Sequence, residues 1–119
     1  ALRLDNLTLL IDQNRIQKMG FIRDILGFDD LVPKLDAFGC DTASVDGHDI
    51  AAITQALTRL PAGGRPRAVI LHTVKGKGVS IMENDPQWHY RMPNKRQLKA
   101  FIEALDITEE ELQRCRQHS

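Results

Sequence analysis

Five residues near the amino end, Asp12-Gln13-Asn14-Arg15-Ile16, place an amide oxygen at Asn14 and a main-chain carbonyl at Ile16, two positions apart. Both are hard, neutral oxygen donors. Magnesium prefers octahedral oxygen ligands and commonly bridges to phosphate, so this pair can complete a site whose negative charge comes from elsewhere. The two cannot hold the ion alone. The plainer reading is that Asp12 and Asn14 shape the turn after a strand, and for so short a motif that role is the commoner one.

Three further segments carry reactive side chains. Val45-Asp46-Gly47-His48-Asp49 presents an imidazole after a glycine that permits a tight turn. Its plainer role is helix initiation, so no chemistry is assigned to His48. Thr73-Val74-Lys75-Gly76-Lys77-Gly78 combines glycines, which let a backbone approach a ligand, with two lysines able to meet phosphate. It lacks the Gly-Lys-Ser/Thr ending of a P-loop and does not match the dinucleotide glycine fingerprint, and a solvated basic turn explains it equally well. Met82 to His89 sets the single tryptophan, Trp88, beside His89. The histidine can donate to a phosphate or hydroxyl oxygen and exchange a proton near neutral pH. Alternatively, Trp88 anchors a loop and His89 is incidental.

The elements around these segments alternate. Leu7 to Ile11 suits a strand buried on both faces, with Asp12 at its carboxyl end. Beyond a loop through Gly20, residues 30 to 38 space Leu31, Leu35 and Phe38 on one helical face, with Pro33 in the first turn and Gly39 at the stop. Thr42 to Val45 reads as a weaker strand. It leads into a helix with Ile50, Ile53, Leu57 and Leu60 at helical spacing, and Asp49 at its positive end. Pro61 to Gly64 is a turn, and Ala68 to Thr73 the next strand. Val79 to Pro93 has no period and reads as a long functional loop. Asn94 caps a helix carrying Leu98, Phe101, Ile102 and Leu105, and Thr108 with Glu111 makes a capping box for a final helix, so 94–119 are terminal helices. Alternating strands and helices imply right-handed crossovers and an α/β fold. We expect a partial parallel sheet of three strands with flanking helices, and all three strand-end motifs on one rim, where ligands of such sheets gather.

Bulk properties narrow the classes. The 119 residues, 42% hydrophobic, suit one ordinary domain, expected to be a single globular unit. Sixteen basic and sixteen acidic residues cancel, and no aromatics interleave the basic ones, which argues against a nucleic-acid partner. No apolar run nears the roughly 20 residues of a membrane span, and no signal core opens the chain. Cys40 and Cys115 show neither metal-ligand spacing nor a disulfide framework, so a cytoplasmic setting is expected.

Taken in order, Leu4 to Gln17, Ala37-Phe38-Gly39, Val45 to Asp49, Thr73 to Gly78 and Trp88-His89 resemble the transketolase family, most closely the split type in which the amino-terminal and carboxyl-terminal halves are separate chains. The resemblance implies that residues 1–119 form the carboxyl-terminal part of a diphosphate-binding domain. It implies thiamine diphosphate and Mg2+, or another divalent cation, as cofactors. Asn14 then matches a metal ligand through its side chain, Ile16 through its main-chain carbonyl, and His89 a histidine near the diphosphate and the substrate. The implied activity is transfer of a two-carbon ketol unit between sugar phosphates. The implied partners are a sugar-phosphate substrate, an upstream segment, and a pyrimidine-binding domain or subunit in a homo- or hetero-oligomer.

Departures from the family pattern shape the expectation. The family's metal site begins with a Gly-Asp-Gly before the asparagine, which these residues do not contain, and the glutamate that activates the cofactor lies in another domain. The 119 residues by themselves are therefore expected to be inactive. Lys18-Met19 replaces the Asp-Gly often seen after Ile-Gln, and Tyr90 stands where glycine usually follows the histidine, which bears on substrate access. A 1-deoxyxylulose-5-phosphate synthase-like enzyme is the alternative within the same chemistry. A non-catalytic truncated remnant or subunit-pairing module is the alternative outside it.

Overall fold

The computed structural model describes residues 4–27, 30–59 and 62–117, with the side chains of Ala62 and Arg116 excepted. Three parallel strands form the sheet: β1 (Thr8–Gln13), β4 (Asp41–Asp46) and β5 (Arg67–His72), in the order β1-β5-β4. The register pairs Thr8 with Arg67 and Gln13 with His72 on one side of β5, and Asp41 with Arg67 and Asp46 with His72 on the other. The three strands therefore finish together at their carboxyl ends.

β5 is the strand buried on both faces. Ala68, Val69 and Ile70 are fully or almost fully buried because β5 lies between two neighbours and carries an unbroken apolar run. The apolar run Leu7–Ile11 suggests the same environment for β1. There the expectation fails: β1 is an edge strand within this chain, and Leu9 and Leu10 are 45% and 52% exposed. Asp12 and Gln13 belong to the strand itself rather than to the turn after it.

Two small strands the sequence did not reveal, β2 (Ile16–Gln17) and β3 (Gly20–Phe21), form an antiparallel pair followed by the short helix α1 (Ile22–Leu26). A hairpin with two residues in each arm is too short to leave a period. Helix α2 (Val32–Ala37) takes Pro33 in its first turn as expected, but Phe38 lies past its end and is 86% exposed, so it joins no buried face. Helix α3 (Ile50–Thr58) starts at Asp49, whose carboxylate accepts from Ala51 and Ala52 N–H at 2.9 and 3.0 Å. It packs against β4 and β5. There Arg59 meets the buried Asp41 at 2.8 Å, and the Arg67 guanidinium donates to the Leu57 carbonyl. Ile50 is exposed, and Leu60 and Pro61 lie outside the described residues.

The chain divides into two compact units, 1–74 and 75–119, where one was expected. Composition bounds the amount of apolar material and not how the chain partitions it. In the second unit, the stretch read as a loop is ordered by turns and a 3-10 segment (Pro86–His89), capped by Asp85 accepting from Gln87 N–H at 2.9 Å. Helix α4 (Lys95–Ala104) opens with a reciprocal capping box between Asn94 and Gln97. Helix α5 (Glu109–Gln117) opens with Thr108 and Glu111 in the expected pairing.

Candidate functional site

The carboxyl rim of the sheet is cross-linked by the residues the sequence singled out. Asp12, at the end of β1, accepts from the Thr73 hydroxyl. Gly47 N–H donates to the His72 carbonyl at 2.8 Å, and a Cβ at position 47 would lie 2.5 Å from Thr73 Cγ2, so only glycine fits this approach. His48 Nε2 accepts from Val74 N–H at 2.8 Å. The expected shared rim is thus present for Asp12, Asp46 to Asp49, and Thr73 to Val74. His48, assigned no chemistry from sequence, binds backbone. Its partner lies 26 residues away and becomes a neighbour only through the β4–β5 pairing.

Asn14 follows directly from β1. Its Oδ1 accepts from Ile16 N–H at 2.9 Å, a closed Asx turn that brings the two candidate ligand residues together. Arg15 between them has φ +62°, and its carbonyl accepts from Ile22 N–H at 2.9 Å. Ile16 is buried and pairs with Phe21, so the turn is held from both ends. The plainer reading, that Asn14 shapes the turn, is therefore realised. It does not exhaust the residue, since an amide oxygen carries two lone pairs and this bond takes one. Hard oxygen donors suit a divalent cation in kind but fall short in number. Among the described residues no group of three or more His, Cys, Asp or Glu could hold a metal ion.

The second unit contains the basic turn and His89. Gly76 and Gly78 have φ +75° and +92°, and Asn84 N–H returns to the Lys75 carbonyl at 3.0 Å, which folds the turn back on itself. Gly78 N–H donates to the Glu83 carboxylate at 3.0 Å, a partner no sequence pattern announced. Trp88 is buried, donates through its indole N–H to the Ile81 carbonyl at 2.7 Å and meets Phe101 edge-on at 5.3 Å. Arg91 lies over its ring at 5.0 Å. The anchor reading of Trp88 thus holds. Its neighbour His89 faces outward, exposed, with the 70%-exposed Tyr90 ring edge-on at 6.3 Å. Imidazole and phenol are therefore presented together. An open groove of about 570 Å3 is lined by residues that include Trp88, Arg91 and Arg96 but not His89.

Residues 1–112 match the family described as transketolase, thiamine diphosphate binding domain. The chain belongs to that family. One subunit of an apulose-4-phosphate transketolase from Actinobacillus succinogenes is 37% identical over 103 residues, which cover 87% of this chain and 37% of that protein. A 6-deoxy-6-sulfo-D-fructose transketolase subunit of a Clostridium species is 33% identical over 105 residues, covering 87% of this chain and 38% of its own. The crystal structure of the Campylobacter jejuni transketolase superposes with a TM-score of 0.72 at 28% identity, over 85% of this chain and 16% of that one. The chain thus spans well under half the length of these curated relatives. The expected α/β fold and the resemblance to amino-terminal subunits of split transketolases both hold. Among the described residues no helix is long and apolar enough to cross a membrane.

Proposed function

We propose that this chain supplies part of the diphosphate end of a thiamine diphosphate site in a transketolase that moves a two-carbon ketol unit between sugar phosphates. The observation that carries the reading is the Asn14–Ile16 turn, locked at 2.9 Å just beyond β1 in a chain of this family. Asn14 Oδ1 and the Ile16 carbonyl would bind Mg2+, or another divalent cation, as neutral ligands, the charge balance coming from the diphosphate and from a carboxylate outside these residues. Thiamine diphosphate, when bound, supplies the electron sink for carbon–carbon cleavage.

This chain's own residues bind and orient. The rim bonds at Asp12, Gly47 and His48 hold the strand ends rigid, and Asn14 keeps its oxygen in place through the Ile16 N–H. His89 would hydrogen-bond the sugar phosphate or the diphosphate, holding charge as it develops. The Lys75–Gly78 turn would flank that site, and Tyr90 would narrow access beside His89. Relatives named as transketolase subunits support a separate partner chain, here one bearing the pyrimidine-binding domain, and the scarcity of cysteines, two in 119 residues, fits a cytoplasmic setting.

The reading is tested in an assembled enzyme containing these residues, assayed for ketol transfer between sugar phosphates across a range of Mg2+ and cofactor concentrations. Asn14→Ala is expected to raise the Mg2+ needed for half-activation about tenfold or more, in line with the loss of one ligand or its support. An unchanged Mg2+ requirement would overturn the assignment of Asn14.

A further inference from the structure

We propose that His48 is a positioning residue that fixes the chain where β5 gives way to the basic Lys75-Gly76-Lys77-Gly78 turn. Three consecutive residues at that exit are each held by a different device. The His72 carbonyl accepts from Gly47 N–H at 2.8 Å, the Thr73 hydroxyl donates to Asp12, and the Val74 N–H donates to His48 Nε2 at 2.8 Å. Val74 lies beyond the last ladder pair of β5, which is His72, so the sheet supplies its N–H with no strand partner. The imidazole takes the place of the missing strand carbonyl.

The backbone that carries the imidazole is itself fixed. His48 N–H donates to Asp46 Oδ1 at 2.8 Å, and Asp49, the next residue, caps α3. The clamp therefore ties the start of α3 to the last residue before the basic turn. A ring nitrogen accepts only when it carries no proton, so His48 must be neutral with its proton on Nδ1. Gly47 is what allows the approach, because any side chain there would collide with Thr73.

Two measurements on the 119-residue chain test the clamp without reference to any cofactor. Imidazole nitrogen NMR of the unaltered protein at neutral pH is expected to show His48 Nε2 unprotonated; a proton on Nε2 overturns the proposal. Amide exchange at Val74 is expected to rise about fivefold or more in His48→Ala, the loss of one net hydrogen bond, and to return toward the original rate in His48→Gln, whose amide oxygen can accept. Unchanged exchange at Val74 in His48→Ala, with the Ile70 amide still protected, also overturns it. If the alanine variant does not fold, the tautomer and the glutamine variant decide.

The consequence for catalysis rests on the reading proposed above, in which the basic turn flanks the active site. In the assembled enzyme His48→Ala is then expected to shift KM for the sugar phosphate severalfold, with His48→Gln closer to the unaltered protein. An intact clamp by NMR with unchanged KM in His48→Ala would contradict the placement of the turn and leave the clamp standing.

Discussion

At the scale of single residues, Asn14 and His48 show opposite kinds of legibility. Asn14 sits in a run whose residue types already suggest oxygen donors, and its side chain bonds a residue two positions away. Such local geometry is readable from sequence. The bond of His48 is not, because Val74 becomes its neighbour only after β4 and β5 pair. Gly76 lies between these cases: a glycine flanked by lysines reads as a turn, but the sequence does not show that a Cβ there would come within 2.6 Å of Met82 Cβ and 2.8 Å of its backbone. Gly76→Ala, strained by its φ of +75° as well as by this collision, should cost roughly 1–3 kcal/mol. A denaturation midpoint followed through Trp88 fluorescence checks this, and an unchanged midpoint would show that the turn relaxes freely.

Elements were legible in proportion to how local their determinants are. The helix starts at Asp49, Asn94 and Thr108 were all readable because capping uses side chains within three residues. Asn94→Ala should destabilise the second unit by about 1 kcal/mol, measurable as faster amide exchange along α4. Burial was less legible: β1 has the composition of an interior strand but lies at an edge in this chain, and Phe38 has a helical spacing but falls beyond the last turn. At α5, hydrogen bonds from the Thr108 N–H, and secondarily from its hydroxyl, hold the Glu111 carboxyl below the usual glutamate range. A folded pKa below the unfolded one gives stability that is present above the unfolded value and lost as pH falls through the folded value. The start of α5 should therefore fray on acidification, less so in Glu111→Gln. A Glu111 carboxyl seen by NMR to titrate at the ordinary glutamate pH or above would contradict this.

For the whole molecule, the alternation of strands and helices was enough to give the parallel sheet and its shared carboxyl rim, since these follow from chain order and the handedness of crossovers, while the family was legible only in the ordered motifs from Leu4–Gln17 to Trp88-His89. The division at Val74 was not legible, because no shift in composition marks it. The central claim is that these residues bring neutral oxygens, Asn14 Oδ1 and the Ile16 carbonyl, to a metal–diphosphate site whose carboxylate comes from elsewhere. Calorimetric titration of the 119-residue chain with thiamine diphosphate in the presence of Mg2+ tests it most directly. Two neutral donors should give no measurable Mg2+-dependent binding, whereas a Kd on the order of micromolar, about −8 kcal/mol, would contradict the claim.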